Sequence, residues 1–266
     1  MPDSIFDIPL AIAGPAIIMA FCAFALVGLL LVRRCVLPRM NVRAEDSEFS
    51  GSLVQAVMAF YGLSVALIAV GVFDNYSDVS NIVSVEAAEL SAFYQDAGTY
   101  PEPTRSQLQS ELRDYSRYVI DVAWPAQRRG EVARRGIEML NRVHATLAAF
   151  EPATEGQRIV HAEALRAFNE LLEARSLRLD AVVTSGLSGA LWFLALAGAA
   201  IGLFAAFFFR VEDVRLHAVQ VTLLATFMGL VIVMVFAFDR PFRGDLALDS
   251  EPYQLVYDKV MRAGGP

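Results

Sequence analysis

Carboxylates and arginines set on apolar helix faces are where this sequence could do chemistry. Val79, Ile82, Leu90 and Phe93 mark one helix face; Glu86 falls on it and Glu89 lies close by. A carboxylate on such a face needs a partner, because an unpaired buried charge is costly. Arg175 and Arg178, near the end of a later helix, are placed to supply one. Two readings follow: a buried structural ion pair, or a site that senses a proton or a ligand.

A second group lies along one apolar run. Gln55, Ala59, Gly62, Ala66, Val70 (with Ala69 beside it) and Phe73 recur every three or four residues, and most are small. Small residues permit close helix packing. They also leave room for water, so the same face can be a pore wall with Phe73 as an apolar constriction. Asp74 and Asp78 follow, one helical turn apart. In a ring of subunits they form two acidic collars that attract cations; alone they are a solvated helix segment.

Other candidates are weaker. Asp245, Asp249 and Glu251 are a carboxylate-rich stretch without EF-hand spacing, read as a salt-bridged turn or as a divalent-ion site. Gly198 and Gly202 form a GxxxG, a mark of tight packing between membrane helices. Gln220, Thr222 and Thr226 bond across helices or to their own backbone. His144, His161 and His217 lack ligand spacing. No nucleophile elbow, HExxH or serine/lysine pair occurs, so the sequence reads as a non-enzyme.

The elements that position these residues follow from composition. Of 266 residues 56% are hydrophobic and 19% charged, below the globular norm of roughly 25% charged. The apolar residues cluster in four runs, 8–32, 53–73, 181–209 and 218–238, each long enough to cross about 30 Å of hydrocarbon as a helix. The leader before the first run carries no positive charge, so the run reads as a span and not a signal peptide. The expected fold is an all-α membrane protein, with four transmembrane helices in two pairs flanking a four-helix extramembrane insert. The parts are 1–73 (first pair), 74–180 (insert), 181–238 (second pair) and 239–266 (tail).

Within the insert, the first helix is expected over 78–96. The second starts at a Thr104/Gln107 capping box and ends or kinks at Trp124-Pro125. The third covers 131–150. The fourth starts at a Thr154/Gln157 capping box and runs toward the third span until Ser185-Gly186 loosens it.

Net charge is −7 and Lys259 is the only lysine. No basic stripe of the kind nucleic acid requires is present. Cys22 and Cys35 lie about 20 Å apart along one helix axis and cannot bridge. The first connection holds Arg33, Arg34, Arg39 and Arg43, and the N-terminal tail holds no basic residue. By the positive-inside rule the N-terminus and the insert are periplasmic. Arg210 and Arg215 in the short loop agree; Arg166, Arg175, Arg178, Arg240 and Arg243 count the other way.

Five segments resemble the bacterial bestrophin-like membrane family. They are Phe73-Asp74-Asn75-Tyr76, Val85-Glu86-Ala87-Ala88-Glu89-Leu90, Tyr115 through Trp124-Pro125, Glu173 through Leu179, and Asp239-Arg240-Pro241-Phe242-Arg243-Gly244. The resemblance covers roughly residues 50 to 255. The span layout and Pro241-Phe242-Arg243-Gly244-Asp245 extend it to bestrophins themselves, which are pentameric anion channels. The resemblance implies a pore along Gln55–Phe73 and a Ca2+ clasp at Asp245–Glu251. It also implies a bacterial inner-membrane protein whose partners are lipid, copies of itself and small inorganic ions. Two points depart from bestrophins: the acidic run after Gly244 is sparse, and bestrophins keep these helices in the cytosol. The acidic mouth also disagrees with anion selectivity.

Two functions are therefore expected. One is a homo-oligomeric ion channel with the second span lining the pore. The alternative is a non-conducting membrane-anchored sensor or scaffold acting through the acidic helical insert.

Overall fold

The computed structural model describes residues 6, 8–39, 44–209 and 213–262. Arg43 and Arg210, both used in the orientation argument, lie outside them. The chain divides into two compact units. One comprises Met1–Asn75 with Gly186–Arg240, the other Tyr76–Ser185 with Pro241–Pro266.

The first unit holds α1 (Leu10–Leu31), the first part of α2 (Ala44–Ala97), α7 (Gly189–Ala206) and α8 (Val214–Phe238). Among the described residues, four helices are long and apolar enough to cross a membrane. α1 ends in a π turn over Val32–Val36 and a 3-10 turn over Leu37–Arg39. It packs along α8, where Gly229 lets the backbone of Ile18 approach; an added Cβ there would meet Ile18 Cα at 3.2 Å. Ala25, Leu29, Leu203, Phe207 and Ala225 fill one core of this unit, and Ile68, Val72, Trp192 and Val235 another.

The second unit holds the rest of α2, α3 (Thr104–Tyr118), α4 (Trp124–Gln127), α5 (Arg135–Ala148), α6 (Glu155–Thr184) and α9 (Glu251–Val256). Leu90, Phe93, Leu108, Leu112, Leu140, Val143, Phe168 and Leu171 bury its core. Each helix contributes one apolar stripe, as the 3-and-4 spacing requires. The C-terminal stretch is not a separate tail: Phe242, Tyr253 and Met261 are buried in the same core.

Three boundaries differ from the sequence reading. The second span and the first insert helix are one continuous helix, α2. Asp74, Asn75 and Asp78 are polar, but no glycine or proline interrupts the backbone ladder between Phe73 and Asp78. Leaving lipid and ending a helix are different events. The third span starts later than 181, because α6 continues to Thr184. The chain then turns at Ser185 (ψ 141°) and at Gly186, whose φ of +122° suits only glycine. α7 begins where the Ser188 hydroxyl accepts from the Leu191 amide at 3.4 Å. The third insert helix is shorter than 131–150, spanning Arg135–Ala148.

One capping box forms and one does not. The Thr154 hydroxyl accepts from the Gln157 amide at 3.1 Å, and the Gln157 side chain accepts from the Ala153 amide at 2.7 Å. At α3 no side chain of Thr104 caps the helix. Glu102 takes that role, its carboxylate accepting from the Ser106 amide at 3.2 Å and hydroxyl at 2.6 Å. An ionised acceptor is the stronger cap at the positive end of the helix dipole. Between α3 and α4 the backbone widens into a π turn over Val119–Ala123, which is the bend expected near Trp124-Pro125.

Candidate functional site

The membrane part of α2 has two unlike faces. On one, Val65, Ile68, Ala69 and Val72 are buried. Tyr61 donates its hydroxyl to the Ala195 carbonyl of α7 at 3.0 Å. The GxxxG glycines of α7 make this contact. A Cβ on Gly198 would meet the Tyr61 ring at 2.5 Å, and one on Gly202 would meet Met58 Sδ at 2.5 Å.

The other face carries Gln55, Ala59, Gly62, Ala66, Val70 and Phe73, and all six are exposed in the single chain. Nothing lies within 4 Å of a Cβ placed on Gly62. Val70 is 56% exposed and Phe73 47%. Phe73 is held from the side: its ring meets Phe238 of α8 edge-on, with centroids 5.6 Å apart. Asp74 and Asp78 are exposed on the same helix. Gln55 also borders a groove of about 560 Å³ with Ser52, Met58, Ala206, Phe209 and Leu224. Phe60, Leu63 and Leu67 are exposed as well, so this helix is packed along one flank only and the rest is available to water, lipid or a second chain.

The second unit is built around a buried ion pair. Glu86 is 0% exposed and Arg178 1%. Arg178 Nη2 donates to Glu86 Oε1 at 3.0 Å and Arg178 Nε donates to Glu86 Oε2, a two-pronged match of guanidinium and carboxylate. Arg178 Nη1 donates to Gln127 Oε1 at 2.6 Å. The guanidinium also lies against the rings of Trp124 (5.5 Å) and Tyr253 (5.7 Å). Burial by itself would loosen the proton on Arg178; Tyr253 and Glu86 outweigh it and hold the group charged. Burial, reinforced by the Glu86 charge, pushes the Tyr115 and Tyr253 hydroxyls above the usual phenol range.

The candidate pairing thus resolves onto Glu86 and Arg178. Glu89 is half-buried and forms no ion pair among the described residues. Arg175 lies instead beside Gly136, whose added Cβ would meet its guanidinium at 3.3 Å. Gln127, Trp124 and Tyr253 were not singled out from sequence as parts of this cluster. Trp124-Pro125 signalled only a bend, and Gln127 carries no periodicity signal of its own.

The carboxylates of the C-terminal stretch are not brought together. Among the described residues no group of three or more His, Cys, Asp or Glu side chains is close enough to hold a metal ion. Asp249 instead accepts from the Glu251 amide at 2.9 Å and caps α9, while Asp245 and Glu251 are exposed. Asp239, unremarked as a site from sequence, is 2% exposed and accepts from the Leu187 amide at 2.6 Å and the Trp192 indole at 3.2 Å. It ties the turn before α7 to the end of α8. The histidines are structural: His161 bonds Tyr100 at 2.8 Å, His217 bonds the Ala206 carbonyl at 3.2 Å, and His144 stacks on Phe168. Cys22 and Cys35 are free thiols.

The Bestrophin-like domain model matches residues 19–253, and the chain belongs to that family. Solved structures share its fold. Two variants of a bacterial bestrophin homologue from Klebsiella pneumoniae each match with a TM-score of 0.62 at 10% identity, over 94% of this chain and 96% of that one. A structure described as a membrane protein matches to the same extent. No curated protein sequence matches. With its four apolar helices, the chain is a membrane-embedded protein.

Proposed function

We propose that the protein is a homo-oligomeric ion channel of bestrophin-like build in the bacterial inner membrane. The exposed face of α2, from Gln55 to Phe73, lines its pore. Phe73 narrows it, and Asp74 and Asp78 set the field at its mouth. The assembly is a pentamer by family resemblance, and the helical unit is periplasmic by the arginine count across α1. The observation that carries the reading is the uncovered Ala59–Gly62–Ala66 side of a helix that buries Val65, Ile68, Ala69 and Val72 along one flank on its own chain. In a ring, that side is the one free to meet water.

The test is reconstitution of purified protein in planar bilayers with different ions on each side. Asp74→Asn with Asp78→Asn should shift the reversal potential toward anions. An unchanged reversal potential removes the collar's role, and absence of any conductance from the parent protein removes the channel.

A further inference from the structure

This acidic chain carries an exposed basic loop between α4 and α5. Arg128, Arg129, Arg134 and Arg135 lie in and beside the connection between α4 and α5, all exposed, with Glu131 the one acid among them. A fifth guanidinium joins them. Arg243 Nη2 donates to the Arg129 carbonyl at 2.7 Å, and its head lies over Gly130. Gly130 has a φ of +75°, and a Cβ there would meet that guanidinium at 2.3 Å. The loop is therefore shaped to admit another positive charge.

The fold gains little from these charges. The side chains of Arg134 and Arg135 make no hydrogen bond or ion pair among the described residues. They also stand at the start of α5, where the helix dipole opposes cations. Arg129 meets Glu131 only in an exposed pair at 3.4 Å. Beside them Val132 and Ile137 are each 40% exposed.

The loop is joined to the last span by a short stretch of chain. Arg128 Nη2 donates to the Gly244 carbonyl at 3.5 Å. Gly244 follows Phe238, the last residue of α8, by six residues. Six residues span at most about 20 Å. We propose that this arginine loop is a docking surface for the anionic phospholipid headgroups of the bilayer the chain itself spans. Arg134 and Arg135 engage headgroup phosphates, and Val132 and Ile137 rest at the polar–apolar boundary. Each arginine near an anionic surface strengthens attachment about fivefold.

The test uses the full chain with Cys22→Ser and Cys35→Ser, labelled at Val132→Cys with a fluorophore. It is placed in nanodiscs of phosphatidylcholine, with or without phosphatidylglycerol, carrying a nitroxide quencher on the headgroups. Quenching should be about twofold or more stronger with phosphatidylglycerol and should weaken as salt rises. It should fall to the phosphatidylcholine level when Arg134→Gln and Arg135→Gln are combined, with helix content and melting unchanged. Equal quenching in both discs overturns the proposal, as does quenching indifferent to the two substitutions. A label shielded from a water-soluble quencher in phosphatidylcholine alone assigns the face to a neighbouring protein copy and overturns it as well.

Discussion

Replacing Arg178 by Met should unfold the helical unit at a markedly lower temperature. The wild-type guanidinium donates two hydrogen bonds to Glu86 and one to Gln127, all away from solvent. Met fills similar volume but leaves the Glu86 carboxylate at 0% exposure with no opposite charge. Breaking one side of such a pair costs about 3–5 kcal/mol. At about 2–4 °C per kcal/mol for a unit of this size, the midpoint should fall by roughly 6–20 °C. The assay is thermal unfolding of the full chain in detergent, followed by near-ultraviolet circular dichroism of the buried aromatics around Trp124. Arg178→Met combined with Glu86→Leu should recover most of the loss, because an apolar pair replaces the ion pair without stranding a charge. A single variant within about 1 kcal/mol of the parent would show that the Glu86–Arg178 pair does not hold the unit together. A double variant as unstable as the single one would show that the stranded Glu86 charge is not the cause of the loss.

Gly198→Leu should disrupt the α2–α7 contact by at least about 1–3 kcal/mol, since even its Cβ meets the Tyr61 ring at 2.5 Å; detergent melting curves read this, and an unchanged midpoint contradicts it. Phe73→Ala should raise basal conductance in bilayers, and a conductance equal to the parent's denies Phe73 the constriction. High pH should destabilise the helical unit through Tyr115 and Tyr253, whose folded pKa values lie above the unfolded value of about 10. The folded state then holds the phenol protons more tightly, so their contribution is full below pH ~10. It falls above that by about 1.4 kcal/mol per pH unit for each tyrosine. Denaturant titrations at stepped pH should show a fall in Tyr253→Phe that is shallower than the parent's by about 1.4 kcal/mol per pH unit.

Much of the architecture was legible because lipid imposes a simple rule. Runs of apolar residues marked all four spans, and the 3-and-4 stripes marked the insert helices. What failed were some of the element ends. Hydropathy reports where lipid stops, and α2 passes through Asp74 and Asp78 because helical hydrogen bonds do not depend on side-chain polarity. The Thr104/Gln107 box lost to Glu102 because a carboxylate two residues earlier caps the Ser106 amide of the same first turn. Glu86 announced its need for a partner by lying on an apolar face, and Arg178 was on the short list. Gln127 and Tyr253 were not, since their approach depends on the bend after α3 and on the return of the C-terminal stretch into the core. No local spacing encodes either.

A pore along α2 requires that water reach its uncovered side. Single cysteines at Ala59, Gly62 and Ala66, in the reconstituted Cys22→Ser, Cys35→Ser background, test it with a charged water-soluble thiosulfonate. All three should react and reduce current, while a cysteine at the packed Val65 should not. Unreactive thiols at all three positions, with current undisturbed, would contradict the pore.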